Sequence, residues 1–108
     1  MKKGDFVSLR MHRPLVSNAK STETIYSGRI LKYDENQECI YMMLNNTELT
    51  DLSLDAIYEC EIQSENESIG CTGRIKERYC GEEGKTAQMQ IATGFYKINI
   101  KYVDKQNA

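Results

Sequence analysis

The side chains of this 108-residue chain best suited to chemistry are its arginines. Arg10 and Arg13 flank Met11 and His12, with Lys20 further on, and a second group runs Arg74-Ile75-Lys76-Glu77-Arg78. A guanidinium presents planar, paired N–H donors that match the oxygens of a phosphate or carboxylate. Arg10, Arg13, Arg74 and Arg78 are therefore the candidate ligand-binding residues. Arginines at strand ends also sit in water or form weak surface pairs, so the clusters alone do not choose between ligand and solvent.

Catalytic chemistry has less material. His12 is the only histidine, so any Ser–His–Asp or Cys–His arrangement must use it. It falls in a polar stretch beside Arg10 and Arg13, where nothing resembles a nucleophile elbow. Glu59 with Glu61 and Glu82 with Glu83 are paired carboxylates, but the first pair takes outward strand positions and the second a turn, where charge serves solvation. Neither GxxxxGK[ST] nor GxGxxG occurs. The expectation is a protein that is not an enzyme and carries no cofactor and no metal.

Cys39, Cys60, Cys71 and Cys80 include no CxxC pair, so the usual zinc knuckle is missing. The opening Met1-Lys2-Lys3-Gly4-Asp5 has the charge of a secretion signal without the apolar stretch behind it. A cytoplasmic protein is expected, in which a disulfide framework is out of place. All four cysteines read as small buried hydrophobes in or beside strands.

The elements that must position these residues follow from period-two alternation, the strand signature. Residues 5–11, 24–33, 38–44 and 56–62 alternate clearly, as do those around Ile69, Cys71, Gly73 and Ile75, and around Ala87, Met89 and Ile91. A last strand carries Tyr96, Ile98, Ile100 and Tyr102 after Thr93-Gly94. Residues 12–22 are a polar loop, Asp34 to Gln37 and Ser64 to Glu67 supply turns, and Gly81-Glu82-Glu83-Gly84 is the strongest turn signal. Leu49, Leu52 and Leu54 break the alternation and are expected to cap a barrel end. Gly28-Arg29-Ile30 and Gly73-Arg74-Ile75 echo each other, as two points where a barrel coils or as two arginines set alike on one face. The whole reads as all-β: a compact antiparallel barrel of six to seven strands over residues 1–103, with a polar tail over 104–108. Closure removes the exposed edges of short strands.

Length and composition agree with one domain. Hydrophobic residues make up 40% and charged ones 28%, too apolar for a disordered chain. The net charge of −2 argues against a duplex-DNA module, which gains affinity from a basic excess. No apolar run reaches the roughly 18 residues of a membrane span.

The order of these features resembles a known family. Gly-Asp-x-Val-x-Leu at Gly4 to Leu9 leads, Tyr-x-Gly-x-Ile at Tyr26 to Ile30 follows, then a hairpin, a Leu-rich turn, the strand at 56–62 and Gly-x-Ile at 73–75. This pattern resembles PilZ-like small barrels, most closely the N-terminal barrel of flagellar-brake PilZ proteins. In ligand-binding PilZ domains an RxxxR segment and a later [DN]xSxxG segment hold cyclic di-GMP. Arg74 to Arg78 matches the first, and Asp51 to Ala56 matches the second except for Ala56 in place of glycine. Their order is reversed, and the first falls inside a strand. The resemblance therefore implies the N-terminal type of barrel, which lacks the nucleotide motif and acts mainly in domain contacts, through a protein partner or self-association. Binding of cyclic di-GMP or another anionic small ligand is the first alternative. Tyr26 to Leu44 also resembles the first motif of Sm-like RNA-binding barrels, with Gly28, Ile30 and Asp34 in matching places. The Met-Asn that follows the aspartate there is Glu35-Asn36 here, and the second Sm motif has no counterpart in 69–80.

Overall fold

The first six stretches of alternation each form a strand. The strands are β1 (Phe6–His12), β2 (Ile25–Asp34), β3 (Cys39–Leu44), β4 (Ile57–Gln63), β5 (Ser68–Gly81) and β6 (Gly84–Lys97). The computed structural model describes residues 1–12, 25–45, 51–82 and 84–98. Every pairing is antiparallel, in the order β1-β2-β3-β6-β5-β4, and β4 pairs back to β1 to close a six-stranded barrel. Among the described residues no helix is long and apolar enough to cross a membrane. The inward residues of all six strands meet in one core, with Val7, Leu9, Ile30, Ile40, Met42, Tyr58, Ile62, Ile75, Ala87 and Met89 at its centre.

In both Gly-Arg-Ile segments the glycine is crowded by a neighbouring strand. A Cβ on Gly28 would lie 1.9 Å from the Met43 carbonyl oxygen, and one on Gly73 would lie 2.4 Å from the Gln90 carbonyl oxygen. At both positions a neighbouring backbone approaches so closely that only hydrogen fits.

Tyr96, expected in a last strand, belongs to β6, which ends at Lys97, and Ile100 and Tyr102 of that expected strand lie outside the described residues. Thr93-Gly94 lies inside β6, because the irregularity it signals is matched across the ladder, where β5 shifts register between Gly70, Thr72 and Gly73. The Thr72 N–H donates to Thr93 Oγ1 at 3.2 Å, and the two hydroxyls meet at 2.8 Å. The turn between β5 and β6 forms as expected, with Gly81 opposite Gly84. Asp34 Oδ1 accepts the N–H groups of Asn36 and Gln37 and builds the β2–β3 turn.

Of the three leucines expected to cap the barrel, Leu52 is fully buried, Leu49 lies outside the described residues, and Leu54 is exposed. Leu52 is the plug because the chain around it is tied down. The Tyr26 hydroxyl donates to the Asp51 carbonyl at 3.3 Å, Arg78 Nη1 donates to the Leu52 carbonyl at 2.8 Å, and the Tyr58 hydroxyl accepts the Ser53 N–H at 2.8 Å. Beyond Ser53, whose Oγ accepts the Asp55 N–H, the chain turns outward and takes Leu54 with it. Cys39, Cys60 and Cys71 are buried as expected, but Cys80 is exposed. Pairing with β4 ends at Gly73 while β5 runs on to Gly81, so Cys80 sits on the exposed end of a long β5–β6 hairpin.

Candidate functional site

The candidate arginines are not brought together. In a regular strand residues i and i+4 share a face, so Arg74 and Arg78 would point the same way. The β5 register shifts between Ile75 and Glu77, leaving Lys76 as the extra residue of a bulge. Arg74 pairs with Gln90 and faces outward, Ile75 pairs with Met89 and faces the core, and Glu77 pairs with Gln88. Arg78 then falls opposite the buried Ala87, and its guanidinium reaches the Leu52 carbonyl at the barrel mouth. The bulge thus splits the pair, one arginine to the outer wall and one to the plug. Arg10 is on the outer face of β1, and its Nη2 lies 3.0 Å from Glu59 Oε2 on β4. Arg13 lies outside the described residues, as does the His12 side chain.

Among the described residues, two concave places on the outside bear on the candidate arginines. The smaller is a groove of about 170 Å³ lined by Ser8, Arg10, Ile25, Glu59, Cys60, Glu61, Tyr96 and Ile98. Its construction follows from the ladders. Arg10 lies between Ile25 on β2 and Glu59 on β4, and Ser8 lies opposite Glu61, which in turn faces Gly70 on β5. Gly70 pairs with Tyr96 on β6, and the Tyr96 ring occupies the space a side chain at residue 70 would need. The Ile98 N–H donates to the Ser68 carbonyl and carries the chain past the end of β6. The floor is therefore an ion pair and a second carboxylate, and the rims are apolar, with Ile25 60% and Tyr96 49% exposed.

The larger is an open cleft of about 620 Å³ lined by Met1, Lys2, Gly4, Asp5, Phe6, Arg29 and the β4–β5 turn from Gln63 to Glu67. Arg29 Nη1 donates to the Gly4 carbonyl, and its guanidinium stands 5.7 Å above the Phe6 ring. Asp5 accepts the Lys2 N–H at 2.7 Å and the Ser64 hydroxyl at 2.8 Å, and these bonds hold its carboxyl below the ordinary Asp range. Three cations, Lys2, Arg29 and the Met1 amino group, face three carboxylates, Asp5, Glu65 and Glu67. The two echo arginines thus have different surroundings: Arg29 packs on Phe6, and Arg74 pairs across to β6.

Inside the barrel Cys60 and Cys71 are direct cross-strand partners. The thiol hydrogen bond between them, and then burial, push the Cys60 thiol up. Burial likewise raises the Tyr58 hydroxyl, which keeps it neutral as the acceptor that holds the plug.

Sequence reasoning missed Ile25, Glu61, Tyr96 and Ile98 as neighbours of Arg10. Each was legible as a strand residue, but their meeting depends on which strands pair. Compared with known proteins, the chain matches no family model, no curated protein and no solved structure.

Proposed function

We propose that this chain is a cytoplasmic, non-catalytic binding or regulatory module, PilZ-like in its strand pattern, that acts through protein–protein contacts. One observation carries the reading. The described candidate arginines diverge, and two of them have partners within the chain, Glu59 for Arg10 and the Leu52 carbonyl for Arg78. The groove beside Arg10 has apolar rims and room for about one large side chain, well below the roughly 300–1,000 Å³ of a small-molecule pocket. That combination suits the anchor of a protein partner. The test is light scattering over a range of concentrations together with affinity capture from native lysate. A self-associating protein, or a partner recovered reproducibly and in stoichiometric amount, supports the reading. A monomer that captures nothing overturns it.

An anionic small ligand such as cyclic di-GMP is the second reading. It is favoured by the volume of the cleft and by Arg29 above Phe6, which offers a cation and an aromatic face together. The three carboxylates around that cleft, Asp5, Glu65 and Glu67, oppose it. Calorimetric titration with cyclic di-GMP separates the two readings: heat that saturates supports the ligand, and a flat trace at high protein concentration removes it.

A further inference from the structure

We propose that the groove between Ile25 and Tyr96 binds a segment of a partner protein that carries one large apolar side chain beside a lysine or arginine. This names the partner chemistry for the protein-contact reading and rests on it.

Volume sets the first half of the specificity. About 170 Å³ leaves room for one large side chain such as leucine, phenylalanine or tyrosine, and falls well below the roughly 300–1,000 Å³ of a small-molecule pocket. The rims are apolar and come from separate strands. Ile25 opens β2, Tyr96 lies down on Gly70, and Ile98 closes the end. Burying exposed apolar rims around an inserted side chain is the favourable term in such an anchor site.

Charge sets the second half. The floor holds Arg10, Glu59 and Glu61. Arg10 and Glu59 neutralise each other at 3.0 Å. Glu61, two residues along β4 and therefore on the same outer face, makes no ion pair among the described residues and leaves the floor one negative charge in excess. A cation close to the anchor answers that charge, whereas an acidic segment is repelled.

The experiment is peptide display panned against the whole chain, followed by fluorescence anisotropy of the enriched peptides with the wild type, Ile25→Asp, Glu61→Lys and Leu54→Ser. Ile25, Glu61 and Leu54 are surface positions, and unchanged circular dichroism and melting of the three variants establish that each is folded. The expected peptides pair a large apolar residue with Lys or Arg. Ile25→Asp weakens them on the order of thirtyfold, as loss of a central anchor contact does. Glu61→Lys weakens them severalfold and prefers the same peptide with Glu in place of its Lys or Arg, while Leu54→Ser leaves binding unchanged. Peptides that bind all three variants equally, that weaken only with Leu54→Ser, or that are acidic overturn the groove assignment and leave the protein-contact reading standing. That reading falls separately, when light scattering and lysate capture find neither self-association nor a partner.

Discussion

Replacing Gly28 by alanine, with Gly94→Ala as its chemical twin, tests the barrel on which every surface neighbour depends. At residue 28 the new methyl would lie 1.9 Å from the Met43 carbonyl oxygen and 2.9 Å from the Leu44 Cα. Ordinary contact distances require β2 and β3 to part by about 1.5 Å there. The register places Gly28 opposite Leu44 and Arg29 opposite Met43, so the ladder bonds at those pairs stretch first. Losing about two of them at ~1 kcal/mol each, with overpacking strain of ~1–3 kcal/mol, makes the cost about 3–5 kcal/mol. A domain of this size has roughly 5–15 kcal/mol in total, so the melting temperature falls by at least about 12 °C. At residue 94 nothing lies within 4 Å and the backbone is ordinary. There the methyl only restricts the unfolded chain and stabilises by about 0.4–1 kcal/mol. Urea and thermal melts followed by circular dichroism read both. If Gly28→Ala lands within about 1 kcal/mol of the wild type, the close approach of β2 to β3 is wrong, and with it the registers that build the groove.

Three other outcomes follow from the same geometry. Tyr58→Phe leaves the Ser53 N–H without its acceptor and loosens the Leu52 plug; it costs about 1–2 kcal/mol, read by denaturant melts, with faster amide exchange at Ser53. Asp5 has a depressed carboxyl in the folded state, so its contribution is complete above the ordinary Asp value of about 3.9 and is lost as pH falls through the folded value. Asp5→Asn therefore lowers stability at neutral pH and flattens the acid limb of the stability profile, and an unchanged limb refutes the assignment. A thiol reagent modifies Cys80 in the folded protein and reaches Cys39, Cys60 and Cys71 only on unfolding, a difference that mass spectrometry of the intact chain and its peptides reads directly.

The barrel was legible because its signal is local. Val7, Leu9 and Met11, or Tyr58, Cys60 and Ile62, declare a face within seven residues, and a hairpin is readable from Gly81-Glu82-Glu83-Gly84 alone. The misreadings share a cause in pairing. Thr93-Gly94 looks like a strand boundary until Thr72 is placed opposite Thr93, where an irregularity on one strand is answered on the other. Leu54 looks like part of a cap until Tyr26, Tyr58 and Arg78 are seen to fix the chain one to three residues earlier. Cys80 continues an apparently buried pattern, but β4 has stopped pairing seven residues before it.

The site shows why a motif of spaced residues is weak evidence on a strand. Arg74 and Arg78 keep the spacing that would set them side by side, and a single extra residue at Lys76 inverts the parity between them. No composition or spacing rule marks that bulge, because Lys76 is an ordinary strand residue whose exclusion from the ladder is decided by Met89 and Ala87 claiming core positions on β6. The reverse holds for the groove. Ser8, Ile25, Glu61 and Tyr96 share no motif, yet consecutive ladders bring them to one place, and the missing side chain at Gly70 lets the tyrosine lie flat beside them. On a closed barrel the outer neighbours of a residue come from two other strands at positions fixed by register. A surface site is therefore found by following Arg10 sideways to Ile25 and Glu59, where sequence inspection moves only along the chain to Arg13.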